Sequence, residues 1–341
     1  MADVVQRPYT NEELMKMDPF IKYWETNYSI NIKNNVFSWD RARPLLFLIN
    51  TMPYNKVPII LVAAGPSLDN NIHILKDYQD KCLIFCVDIV LFKLIENGIK
   101  PDFVINIDPH PETTVGWKDL EGHWYDTSDM ILVCPTTANY ESLCNWKGNI
   151  IFYNQTDNMK NHKGPFLEKL TKATSGFGSI ANSFFIGATL FQFSSIFTPS
   201  RVMLVGYDFA YTDNKAFCDG LMKRRAIHQL QENNVPITQE NIEDHSKALN
   251  NLAVSKRDLI AKLDDKEIPT TNTFKLYMDT LNSIFFKYKI NVANCTEGGI
   301  LSSIPRLRLE DSLKMLCKEE IKKYNIFDPQ FLSSRRKRRR R

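Results

Sequence analysis

The sequence predicts an α/β protein: a Rossmann-like, doubly wound, mostly parallel sheet with helices on both faces and extra helical segments at both ends. Three observations carry that prediction. The run Val57–Ala63 is seven residues, mostly apolar and rich in β-branched types, the pattern of a strand buried on both faces. From Val57 onward, short apolar runs alternate with segments of helical pattern, as in a parallel sheet covered by crossover helices. Successive strands also end in polar residues: Ser67, Asp88, Asp108, Asp208 and Glu297. The carboxyl ends of a doubly wound sheet share one edge, so these side chains are expected to converge on one crevice.

Residues 1–56 read as a helical preface, with Thr10 and Glu13 spaced as a capping box. The first strand leaves through Ala64-Gly65-Pro66-Ser67. Pro66 suits the first turn of a helix, and Gly65 lets a ligand approach the main chain. The Ser67 hydroxyl stands beside N–H groups that a helix N-terminus leaves free for an anion, although an ordinary βα turn gives the same pattern. Then follow a helix near Asn70–Tyr78, the strand Cys82–Val87 and a helix closing at Asn97-Gly98. Further strands are expected at Phe103–Ile107, Met130–Cys134 and Ile150–Tyr153, with a helix over Tyr140–Trp146. Thr174-Ser175-Gly176 is expected to open a long apolar helix through Ile186, Leu190 and Phe193, giving a second helix N-terminus for an anion. Val202–Val205 is the next buried strand, released at Gly206-Tyr207-Asp208. Helices are expected over His245–Leu263 and Thr273–Tyr288, a last strand over Ile290–Ala293 and a closing helix over Leu309–Tyr324. The predicted organisation is a helical extension (1–56), a catalytic domain (57–312, helix-rich about 211–288), a helix and linker (313–334) and a basic tail (335–341).

Composition narrows the function. With 43% hydrophobic and 24% charged residues the chain is globular in type. No apolar run approaches the roughly 18–20 residues of a membrane span, and the N-terminus lacks a signal-peptide core. The seven cysteines show no zinc-finger spacing and read as reduced thiols of a cytoplasmic protein. The net charge is +4, but residues 335–341 are seven consecutive cations; without them it is −3. The folded part is therefore no specific nucleic-acid binder, and the tail suits electrostatic attachment to an anionic membrane surface at the inner face.

Several segments resemble one family. Gly65-Pro66-Ser67-Leu68, Gly98-Ile99-Lys100-Pro101-Asp102-Phe103-Val104 and Ile107-Asp108-Pro109 resemble the MptE-like domain of bacterial motility accessory factors (Maf). Val205–Lys215 looks like that family's "GQDLAxTDGK" segment, and Thr296-Glu297-Gly298-Gly299 matches its "TEGG" motif. The matches keep their order across residues 57–300. Thr174-Ser175-Gly176 and Gly206-Tyr207-Asp208-Phe209 also resemble segments of bacterial sialyltransferases that use CMP-activated donors. Two departures stand out: Ala216-Phe217-Cys218 replaces the family's "THA", and Asp88 and Asp108 stand where the sialyltransferases carry amides.

The resemblance implies a glycosyltransferase that moves a nonulosonic, sialic-acid-like sugar from a CMP-sugar donor to a hydroxyl on a protein or glycan acceptor. On that reading His245 is the base and Asp208 a second catalytic group. Gly65, Pro66, Ser67, Asp88, Asp108, Ser175, Gly176, Gly206 and Tyr211 contact the nucleotide, and His110, Thr296 and Glu297 serve the acceptor or a lid. No cofactor is expected. Pyrophosphoryl transfer from ATP to a hydroxymethylpterin is the alternative, with Mg²⁺ on Asp88, Asp108 and Asp208. A nucleotide-binding accessory protein without catalysis is a third reading.

Overall fold

The computed structural model describes residues 20–156, 175–181 and 185–328. The Thr10–Glu13 capping box, Thr174 and the basic tail lie outside them. The chain runs α1 (Phe20–Lys33), β1 (Ala42–Pro44), α2 (Leu45–Thr51), β2 (Pro58–Val62), α3 (Leu68–Asn71), β3 (Leu83–Val87) and α4 (Leu91–Glu96). It continues through β4 (Phe103–Ile105), β5 (Ile131–Pro135), α5 (Tyr140–Asn145), β6 (Asn149–Thr156), β7 (Ser179–Ala181), α6 (Ile186–Ser195) and β8 (Arg201–Val205). The last elements are α7 (Leu221–Glu232), α8 (Gln239–Ser255), β9 (Leu259–Leu263), β10 (Lys266–Thr270), α9 (Asn272–Tyr288), β11 (Val292–Asn294) and α10 (Leu309–Leu316).

Nine strands form one sheet in the order β1-β6-β5-β4-β3-β2-β8-β11, with β7 pairing beside β6. Every pairing in it is parallel; Ile60, for example, stands opposite Ile84 on one side and Met203 on the other. All five residues of β2 and of β3 are buried, so both sheet faces are covered. Helix α6 lies against β2, β3 and β4. There Phe85, Phe103, Phe193 and Phe197 pack with ring centroids 4.8–5.6 Å apart. Strands β3 to β6 wind to one side of β2, while β8 and β11 lie on the other. The carboxyl ends of β2 and β8 therefore bound the switch point where such sheets take ligands.

Several elements differ from the sequence expectation. The helical preface contributes a strand: β1 pairs with β6 through Ala42↔Ile150. The expected helix over His245–Leu263 stops at Ser255, and Leu259–Thr270 folds as an antiparallel hairpin. Its turn places Asp264 and Asp265 at φ 49° and 62°, left-handed backbone that Asp tolerates better than most residues. Helix α6 starts at Ile186 rather than at Thr174. The closing helix ends at Leu316, eight residues early.

Candidate functional site

Three strand ends meet at the switch point and lock onto one another. Gly65, after β2, donates its N–H to the Gly206 carbonyl after β8 (2.9 Å). A Cβ at Gly65 would lie 2.0 Å from Oδ1 of Asp208, so only glycine fits there. Asp208 accepts the Ser67 N–H (3.2 Å), the Ser67 hydroxyl (2.7 Å) and the Thr212 hydroxyl (2.6 Å). Burial pushes its carboxyl up to about 6, and those hydrogen bonds pull the other way. Behind it Thr296, fully buried, accepts the Tyr207 N–H (3.1 Å). Gly299, at φ 68°, passes so close to Asp208 that a Cβ would lie 2.0 Å from its carbonyl oxygen.

This lock corrects several expectations. The anion beside the Ser67 turn is the chain's own Asp208 carboxylate. Ser67 is fully buried, with its hydroxyl spent on that carboxylate. Gly65 is glycine to admit Asp208, and Thr296 is a core contact with no surface for an acceptor. The helix after Pro66 is a four-residue turn starting at Leu68, too short to present an anion site. Ser175 and Gly176 form a 3₁₀ turn packed against α2, β1 and β6, with β6 four strands from β2. The two expected helix openings are therefore never side by side.

Beside the lock, a cleft of about 180 Å³ opens over the carboxyl ends of β2, β3 and β8. Its walls are mostly apolar and aromatic: Phe185, Phe209, Phe217, Phe274 and Tyr277 among them. Phe185 and Tyr277 are stacked at 4.9 Å and 18°. Gly206 lines the floor with Val87 and Ile89, the residues flanking Asp88. Such a slot suits a flat ring, and the one ionisable carboxyl on its lining, Asp208, is committed to Ser67 and Thr212.

Asp88 lies in sequence between two lining residues of the slot, Val87 and Ile89. It follows β3, is 2% exposed, and accepts the Ile89 N–H (2.7 Å) and the Asn106 side-chain amide (2.7 Å). Burial pushes its carboxyl up to about 7; Asp108 adds to the rise, while the two hydrogen bonds and Arg225 oppose it. A carboxyl poised there can take or give a proton near neutral pH. Asp108 is fixed by the His110 N–H (2.9 Å), and the His110 ring accepts the Glu112 N–H (3.2 Å) under the edge of Tyr23. Asn27 of α1 ties this loop down by donating to the Pro109 carbonyl (2.8 Å).

The remaining predicted residues lie elsewhere. His245 sits on α8, its Nε2 3.0 Å from Gln229 of α7, in a hollow between those two helices. Ala253 follows it by eight residues, ~12 Å further along the helix, and accepts the Tyr211 hydroxyl (2.9 Å). Tyr211 is thus a packed aromatic against Phe274, its oxygen committed to the backbone. Glu297 caps α10, accepting the Leu309 N–H (2.9 Å), and borders a separate polar hollow of about 460 Å³ with Arg306 and Lys266. The four acidic tips share the carboxyl edge yet fall into two groups, Asp88 with Asp108 and Asp208 with Glu297. Among the described residues the three-member carboxylate or imidazole group close enough to hold one ion is Asp119, Glu121 and His123, so Asp88, Asp108 and Asp208 form no Mg²⁺ cradle. The seven cysteines are free, and all but Cys144 are buried. No described helix is long and apolar enough to cross a membrane.

Sequence reasoning missed the aromatic slot, Asn106 and Arg225. A signal for Asn106 was present, a polar residue inside the apolar run Val104–Ile107.

Comparisons with known proteins add the following. The family model for 6-hydroxymethylpterin diphosphokinase MptE-like proteins matches residues 30–214, more than half of the chain. An uncharacterized protein of Treponema pallidum (strain Nichols) is 33% identical over 91 residues, covering 26% of this chain and 39% of that protein. Among solved structures, a Maf glycosyltransferase from Magnetospirillum magneticum AMB-1 is similar with a TM-score of 0.49 and 16% identity, covering 83% of this chain and 38% of that one. The chain spans about two fifths of the length of each of these two proteins.

Proposed function

The chain belongs to the MptE-like family, and we propose that it is a group-transfer enzyme that binds a nucleotide-activated donor over the carboxyl ends of β2 and β3. The transfer we favour moves a sialic-acid-like sugar from a CMP-sugar to an acceptor hydroxyl on a protein or glycan. The observation that supports the reading best is the aromatic slot at the switch point, whose lining residues Val87 and Ile89 flank Asp88 in sequence, a buried carboxyl pushed up to about 7. In the proposed reaction the nucleobase lies in the slot. The acceptor oxygen forms its bond to the anomeric carbon while the bond from that carbon to the phosphate oxygen breaks. The acceptor proton passes to Asp88 and CMP departs with the electron pair. Asp88 takes the base role expected of His245, and Asn106 holds it in place. Asp108 and His110, hydrogen-bonded to each other in the loop after β4, are assigned to the acceptor in this reading.

The description of the family favours a second reading, pyrophosphoryl transfer from ATP to a hydroxymethylpterin, whose flat ring also suits the slot. The two readings separate by thermal shift. CMP in EDTA is expected to raise the melting temperature of the full chain, and ATP in EDTA to do so weakly. A shift that needs ATP together with Mg²⁺, and is absent with CMP, would overturn the sugar-transfer reading in favour of the kinase.

A further inference from the structure

Helix α7 carries two adjacent arginines with opposite fates. Arg224 is 4% exposed and fully committed: it donates to the carbonyls of Lys118 and Gly220, to Glu96 and to Tyr125, and lies over Phe92 at 3.9 Å. That set is a structural clamp. Arg225 is half-buried, and its guanidinium carbon lies 5.0 Å from the centroid of Phe217, a wall of the aromatic slot. Its Nε is buried without an acceptor, and among the described residues it forms no ion pair or hydrogen bond. Glu112 and Asp88 are felt as charges, and their field opposes the burial that lowers its pKa. Yet neither carboxylate reaches ion-pairing distance. A buried guanidinium donor left unmet is destabilising, and an incoming acceptor would relieve that. The group is a planar fork of five donors, matched to two oxygens of a phosphate.

We infer that Arg225 is the phosphate-binding arm of the slot, gripping through two N–H donors the phosphate of a ligand whose ring lies among Phe185, Phe217 and Tyr277. The inference takes its ring from the nucleotide reading above; its phosphate subsite stands independently of that reading. Asp88, which holds a proton for much of the time at neutral pH, presents less charge against the phosphate than a full carboxylate would.

Isothermal titration of the full chain with cytidine, CMP and inorganic pyrophosphate tests it. The wild type is expected to bind CMP at least ~10-fold more tightly than cytidine, a typical return for a bidentate charged contact. Arg225→Ala should erase that difference while leaving cytidine affinity unchanged, and should abolish pyrophosphate binding. Arg225→Lys should restore part of the difference, since it keeps the charge and loses the fork. Arg225→Gln replaces the alanine variant if circular dichroism shows that the latter is unfolded. The inference is overturned if the variant retains the CMP-over-cytidine preference, or weakens cytidine as much as CMP. Pyrophosphate binding that depends on Arg225, with no binding of CMP or cytidine, would keep the phosphate arm and remove the CMP reading. CMP binding untouched by the substitution would do the reverse, and silence from all three probes would overturn both.

Discussion

Asp88→Asn is expected to lower turnover by about 10²–10⁴-fold while raising the melting temperature at pH 8. The two effects share one cause. The carboxyl of Asp88 rises from the ordinary 3.8 to about 7, chiefly by burial, so the folded chain resists its ionisation. At ~1.4 kcal/mol per pH unit, that is a penalty of ~4 kcal/mol on the ionised form. The folded state holds the proton longer than the unfolded state does. Stability is therefore lost as pH rises from about 4 through about 7 and is level above that. An amide at position 88 carries no such penalty. Asn106 can turn its amide over to keep the contact, so the variant should match the wild type at pH 4 and exceed it by a few degrees at pH 8. Turnover of the wild type should climb through pH 7 as Asp88 ionises, and the variant should lose that limb. His245→Ala, which removes a contact between α8 and Gln229 of α7, should keep turnover within about twofold, since a single lost side-chain hydrogen bond outside the slot has little reach. A variant at Asp88 that retains wild-type turnover and its pH limb would end the base assignment. Loss of turnover in His245→Ala would restore the histidine.

Gly65→Ala is expected to destabilise the chain by about 3 kcal/mol or more, a fall in melting temperature of roughly 4 °C or more. The new methyl would sit 2.0 Å from Asp208 Oδ1 and 2.5 Å from the Gly206 carbonyl oxygen. Asp208 has nowhere to retreat, because Ser67, Thr212 and the backbone of Gly299 enclose it. Gly176→Ala supplies the contrast: among the described residues nothing lies within 4 Å of its Cβ position, and the melting temperature should not move. Thermal unfolding followed by circular dichroism reads both. A Gly65→Ala chain that melts with the wild type but no longer responds to CMP would show that the glycine serves a ligand.

Much of the fold was legible because parallel strands are written locally. Val57–Ala63 and Cys82–Val87 carry their burial in every residue, and β2 and β3 sit within those spans. The order of polar strand ends also gave the correct edge. Chain-local pattern could not say which polar group meets which. Ser67 and Asp208 are 141 residues apart, and their pairing turns an expected anion site into an internal contact. The same holds for Thr296 and Gly299, whose motif reads as functional and proves to be packing around Asp208. His245 suited a base by its resemblance to a sialyltransferase segment and by its chemistry; the α7–α8 packing, which joins it to Gln229, is not written locally. The slot was invisible because its walls come from Phe185, Phe217 and Tyr277, each an ordinary apolar residue in its own segment.

Hydrogen–deuterium exchange of the full chain with saturating CMP tests most directly where the donor binds. Slower exchange is expected over residues 63–65, 87, 89 and 216–217, which line the slot, with residues 229–248 of the α7–α8 hairpin unchanged. Protection confined to 229–248, or no protection anywhere, would contradict a nucleotide site at the β2–β3 edge.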